Sequence, residues 1–180
     1  VFSTSPTFIT PVLGAATATS VAFSPTTGGI VGTATNDDAG AGKVGEVLSK
    51  TTARASATTL TTTGTSYDVL ASTLAITAGD WDIWFVGGIS TGGTTALTSI
   101  QVAISQTSAT LPNIARLAGD GPESRTQFIG AVGINSDASY QIAPVRASLS
   151  GSTNYYIVMN ASFTGSAPAG YGTLWARRLR

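Results

Sequence analysis

Paired carboxyl groups are the side chains here with the most chemistry in them. Asp80 and Asp82 stand two apart in "AITAGDWDIWFVGGIS", residues 75–90, and Asp120 and Glu123 three apart in "AGDGPESR". Glycosidic-bond hydrolysis needs two carboxyls about 5–10 Å apart, one to donate a proton and one to attack or activate water. Residues two apart on a strand share a face at about 7 Å, so Asp80 and Asp82 meet that distance. The plainer reading is an Asp in a turn followed by an Asp that solvates an edge. It is favoured, because a polysaccharide-cleaving tip needs a long groove that short strands do not supply.

Other constellations fall away. "GISTG", Gly88–Gly92, has nucleophile-elbow spacing around Ser90, but the chain has no histidine to complete a triad. "GAGK", ending at Lys43, lacks the first glycine of a phosphate-binding loop and carries Val44 where Ser or Thr belongs; it reads as a turn. With neither His nor Cys, zinc and the softer metals have no ligands. Asp120, Glu123 and loop carbonyls have the chemistry for calcium, with a solvated loop tip as the plainer reading. No cofactor is expected: nucleotide, haem and zinc all lack their cradling or ligating residues. "WARRLR" sets Arg177, Arg178 and Arg180 at the end of a chain whose formal net charge is zero, and nucleic-acid binding calls for a basic excess. Arg177 and Arg178 point to opposite faces of a final strand and are expected to pair with Asp80 or Asp82, between subunits where register needs fixing. The sequon Asn160-Ala-Ser162 lies mid-strand and is set aside.

The elements that position these residues are strands. Of 180 residues, 49 are Ser or Thr and 21 are Gly, and charged residues make up only 10%, against about 25% in an ordinary soluble domain. Threonine favours strands, while glycine and serine favour the turns between them. Apolar residues at 42% rule out a disordered polar chain. No apolar run approaches a membrane-spanning length. The start has neither the basic nor the apolar region of a signal peptide, and without Met it reads as a fragment.

Residues 1–35 form an extended Thr/Pro/Gly-rich arm or shaft, because Pro6, Pro11 and Pro25 forbid helix. Residues 36–55 form a junction: Asn36 or Asp37 caps a helical turn through Ala41, and Val44, Val47 and Leu48 suit a short strand. Residues 56–180 form the folded domain, in alternating runs with turn clusters between them. Inward faces are Leu70, Leu74 and Ile76; Ile100, Val102 and Ile104, with Ser99, Gln101 and Ser105 outward; Phe128, Val132 and Ile134; Val145, Ala147 and Leu149; and Tyr155, Ile157, Met159, Ala161 and Phe163. After the tight turn "AGD", "WDIWFVGGIS" is read as a hairpin with Trp81, Ile83, Phe85 and Ile89 in the core. Asp80, Asp82, Trp84 and Val86 take its other face, and Gly87-Gly88 marks a bulge or a close backbone approach. Trp175 and Leu174 are read as the last packed strand residues.

About eight strands fit an all-β, antiparallel β-sandwich of the jelly-roll kind. Trp84, Tyr156 and Val158 point away from the core, so one outer face is expected to pack on a symmetry mate, in a homotrimer.

"SPTFITPVLGAATATSVAF" resembles Thr/Pro/Gly segments of bacteriophage tail-fibre and related virion proteins. "GTATNDDAGAGKVGEVLS", "ITAGDWDIW" and "YGTLWARRLR" resemble a C-terminal domain of phage structural proteins. The resemblance implies a virion appendage, usually trimeric, with a β-rich tip in contact with other virion proteins. It carries over no binding residues. The expected function is therefore non-enzymatic attachment to a host-surface glycan or protein by a tail-fibre tip on an extracellular particle. Candidate ligand residues are Trp84, Tyr140 and the 117–125 loop with Asp120, Glu123 and Arg125. The alternatives are a capsid decoration protein or head fibre and, more remotely, a polysaccharide-cleaving tip using Asp80, Asp82, Asp120 and Glu123.

Overall fold

The computed structural model describes residues 38–113, 123–132 and 136–180, with the backbone alone at 131 and 132. The chain divides into Val1–Asn36 and Asp37–Arg180, and the fold below is that of the second unit. The 1–35 arm and the Asn36 or Asp37 cap lie outside the described residues. Residues 41–45 form turns rather than a helix, and Val44 is exposed.

The described residues form ten strands and one 3-10 turn, Arg54–Ser56. The strands are β1 Val47–Thr52, β2 Thr58–Thr59, β3 Ser66–Asp68, β4 Leu74–Ile76, β5 Gly79–Ser90, β6 Ala96–Ser105, β7 Ser124–Val132, β8 Asp137–Leu149, β9 Thr153–Thr164 and β10 Ala169–Arg178. They make two antiparallel five-stranded sheets. One runs β1-β10-β5-β8, with β2 continuing the β1 edge of β10; the other runs β3-β9-β6-β7, with β4 beside β3 along β9. β-branched and aromatic residues at every second position let each strand bury one face. Trp81, Ile83, Phe85, Ile142, Val145 and Leu174 of the first sheet and Ile100, Val102, Ile104, Tyr155, Ile157 and Met159 of the second form the core.

The sandwich expectation is met, and the inward faces of β5, β6 and β9 fall where alternation puts them. Three local features differ. Ser105, placed outward by the alternation, is buried, because its hydroxyl folds back to the Thr107 carbonyl at the strand end. "YDVLASTLAIT" is two short strands, β3 and β4, interrupted at residues 69–73. Residues 81–90 are not a hairpin but most of one continuous strand, β5.

Gly87-Gly88 serves the close approach and not a bulge. Gly87 faces Gly172 of β10, and the Phe85 ring lies against both backbones. A Cβ at Gly172 would stand 2.6 Å from Phe85 Cε2 and from the Val86 carbonyl oxygen, and φ there is +148°. Gly172→Ala is thus expected to cost about 2–4 kcal/mol, from overpacking plus a backbone conformation hostile to side chains. Urea unfolding reads it; an unchanged midpoint would contradict this packing. The bulge lies one strand away. Ile83 pairs with Val145 and Phe85 with Ile142, so Ala143 and Pro144 together oppose Trp84. Proline is tolerated there because a bulge leaves a ladder position unpaired.

Candidate functional site

The two outer faces of the sandwich differ. On the second sheet Asp68, Val158, Ala103 and Arg125 form one cross-strand row. Asp68 accepts hydrogen bonds from Ser108 Oγ (2.5 Å) and the Ala109 N–H (2.7 Å), while Arg125 Nη1 donates to the Pro112 carbonyl (3.3 Å). The segment after β6 is therefore tied to both ends of that row, and Val158 and Ala103 between them are fully buried. Glu123 holds the segment's start, accepting from the Gln106 N–H at 2.8 Å. Gln106 Nε2 in turn donates to the Tyr155 hydroxyl, whose pKa burial pushes up to about 12. The chain's own segment, not a symmetry mate, accounts for the outward Val158.

Among the described residues nothing covers the outer face of the first sheet. Its cross-strand rows are Val47–Arg177–Asp82–Arg146, Ser49–Trp175–Trp84 and Thr51–Thr173–Val86–Gln141. In the middle row the indoles of Trp84 and Trp175 lie parallel within 8°, with centroids 6.2 Å apart, both half-buried. Val86 beside them is 47% exposed. A shallow hollow of about 240 Å³ opens next to Trp84, lined by Asp82, Gln141, Arg177 and Pro144 of the β8 bulge. Arg177 and Asp82 face each other across it at 3.6 Å. An apolar aromatic step, a carboxylate acceptor, a guanidinium donor and an amide that does both thus converge on one open surface.

No protein-family model and no curated protein matches the chain.

Of the sequence-derived candidates, Trp84 belongs to this surface. Tyr140 does not: it is buried on the inner side of β8 against the Phe128 ring at 4.5 Å, and desolvation raises its pKa. Glu123 and Arg125 fasten the segment on the other sheet, far along the topology from Trp84. Asp120 lies outside the described residues, as does most of the 117–125 loop. Among the described residues no three His, Cys, Asp or Glu side chains gather as a metal site would require. Trp175, Gln141 and Pro144 are additions. The sequence reading packs Trp175 beside Leu174, yet adjacent strand residues face opposite ways, and that alternation is the available signal.

Asp80 sits apart from the hollow, although Asp82 is two residues away. Its Oδ2 accepts from Arg180 Nε and lies 3.4 Å from Arg146 Nη2. The Ser148 hydroxyl, the Arg180 guanidinium and the charge of Arg146 hold its carboxyl below the ordinary range. A glycosidase acid needs the opposite shift. Of the expected pairs, Arg177 meets Asp82 within one chain; Asp80 instead pairs with Arg146 and Arg180, and Arg178 takes a different partner.

That partner is Glu46. Arg178 Nε and Glu46 Oε2 meet at 2.8 Å, both side chains at most 8% exposed. Arg178 also donates to the Ala78 carbonyl and Thr77 Oγ1, and its guanidinium lies 4.3 Å from the centre of the Trp81 ring. The Arg178 hydrogen bond, then the Gly42 N–H, hold the Glu46 carboxyl below its usual value. A depressed folded pKa gives stability that is present above the unfolded value and lost as pH falls through the folded one. The melting temperature should accordingly be flat near neutrality and fall below about pH 4. Glu46→Gln should melt lower at pH 7 and show a shallower acid fall. A wild-type curve level down to pH 3 would contradict the assignment.

Proposed function

We propose that this chain is a non-enzymatic module of a bacteriophage virion appendage that attaches to a host surface through the open face of its first sheet. The observation that carries the reading is the parallel, half-buried Trp84–Trp175 pair on a face that the described residues leave uncovered. Large aromatic side chains half-open to water, with polar groups at the rim, are what a recognition surface uses. The phage assignment itself rests on the resemblance of "ITAGDWDIW" and "YGTLWARRLR" to phage structural domains.

The sandwich is of the jelly-roll kind in this reading. With β1 and β2 taken as one interrupted strand and β3 and β4 as another, eight strands result. The first then pairs with the eighth, the second with the seventh, the third with the sixth and the fourth with the fifth. That is the pairing of one long hairpin rolled over on itself, an arrangement frequent in capsid and lectin domains. The homotrimer remains part of the proposal. Phe128 and Ile129, 40% and 83% exposed on the edge strand β7, are the apolar surface such an assembly would cover.

That same edge favours the second reading, decoration of the capsid, in which β7 docks on the shell. Fluorescently labelled chain mixed with a panel of bacterial strains separates the two. Attachment predicts saturable binding to some strains, lost in a Trp84→Ala/Trp175→Ala double variant. Decoration predicts binding to virus particles depleted of the chain and to no strain.

A further inference from the structure

We propose that the hollow beside Trp84 holds a neutral pyranose ring of a surface glycan, and that its Asp82–Arg177 pair selects against acidic sugars. This rests on the attachment reading and adds what is bound, where, and by which groups.

The apolar part of the site comes first. An indole face carries negative partial charge, and the C–H groups on one face of a pyranose carry positive partial charge, so sugar and indole attract when stacked. Trp84 supplies that face, with Trp175 parallel to it at 8° to hold the ring in place. Pro144 adds an apolar wall from the β8 bulge, a feature that re-aims an edge strand locally. At about 240 Å³ the hollow falls below the roughly 300–1,000 Å³ of drug-sized pockets. It suits one sugar ring, with the rest of a chain lying across the open face.

The polar part matches hydroxyls. Each sugar hydroxyl both donates and accepts. Asp82 only accepts, Arg177 only donates and the Gln141 amide does both, so neighbouring hydroxyls find complementary partners. The Arg177–Asp82 separation of 3.6 Å is longer than a good hydrogen bond, and Arg177 is 56% exposed. Both groups thus keep bonding capacity for a ligand.

Charge then decides the class. One carboxylate and one guanidinium line the hollow and cancel. A uronic acid seated there would set its carboxylate against Asp82 as well as Arg177, so attraction and repulsion offset each other and its lost hydration goes uncompensated, which disfavours acidic sugars against neutral ones. The next guanidinium along the row, Arg146, is paired with Asp80 at 3.4 Å.

The test is an NMR titration of the whole purified chain with oligosaccharides of glucose, galactose and mannose, and with a galacturonate oligosaccharide of matched length. At least one neutral oligosaccharide should shift the indole N–H signals of Trp84 and Trp175 but not Trp81, and galacturonate should bind about tenfold more weakly or worse. Trp84→Ala should weaken the neutral ligand about tenfold while the melting curve shows a folded protein. Asp82→Asn should weaken the neutral ligand but not galacturonate, narrowing the gap between the two, a change that a merely structural Asp82 would not produce. Preference for galacturonate would overturn the proposal. So would silence from every neutral oligosaccharide. If strains are still bound while every oligosaccharide is silent, attachment stands and the pyranose site falls; if neither binds, both fall.

Discussion

Trp81→Ala is expected to lower the unfolding free energy by about 3–5 kcal/mol, while Trp84→Ala, three residues along the same strand, costs about 1 kcal/mol. Trp81 is fully buried between the sheets. Truncation there leaves a large cavity in a close-packed interior that relaxes only in part. It also strips the Thr77 carbonyl of its indole N–H donor at 3.0 Å and Arg178 of the ring beneath its guanidinium. Trp84 loses its contact with Trp175 and some half-exposed area, and no buried polar group is orphaned. Denaturant midpoints of the two variants measure the difference. Equal losses would mean that Trp84 is as structural as Trp81, and the open face would then be no more than the outside of a fold.

Arg178→Ala is expected to cost about 2–4 kcal/mol, chiefly because it leaves Glu46 with a charge out of water and no cation. Four interactions go together: the Glu46 pair, the Ala78 and Thr77 hydrogen bonds and the Trp81 ring contact. The pair also ties the chain's end to the turn before β1, where the Arg178 N–H donates to the Glu46 carbonyl and the Gly45 N–H to the Arg178 carbonyl. Removing both charges with apolar side chains, as in Arg178→Met/Glu46→Leu, should recover at least half of the loss, since a buried pair is often replaceable although a broken one is costly. A double variant as unstable as Arg178→Ala would place the cost in lost packing instead.

Much of this architecture is written in period-two patterning. The inward residues of β6 and β9 recur at every second position because one face of each packs on the opposite sheet, with Ala103, Ser105 and Val158 buried as well, and β5 shows Trp81, Ile83 and Phe85 inward for the same reason. Patterning fails where a second influence acts. The Gly87-Gly88 pair reads as either a bulge or a close backbone approach, and what decides for the close approach, with Phe85 lying across two strands, sits on a distant strand at Gly172. Val158 looks like an interface residue because nothing local announces that the segment after β6 folds over it. Tyr140 and Trp84 are both aromatics on strands of one sheet, but only register shows that one turns to the buried side, against the half-open Phe128 ring at the sheet edge, and the other to the outer face against Trp175. The hollow depends on a bulge in β8 that brings Pro144 opposite Trp84, and bulges follow from pairing, not from composition. Arg178 was legible as a face-alternating arginine; its partner Glu46, 132 residues away, was not.

The most direct measurement is the binding of fluorescent wild-type chain and of the Trp84→Ala/Trp175→Ala double variant to a strain that captures the wild type, with melting temperatures recorded alongside. The open-face account predicts that the double variant remains folded, melts within a few degrees of wild type and loses at least about tenfold in binding. Undiminished capture of a folded double variant would contradict it and move the attachment surface elsewhere on the chain.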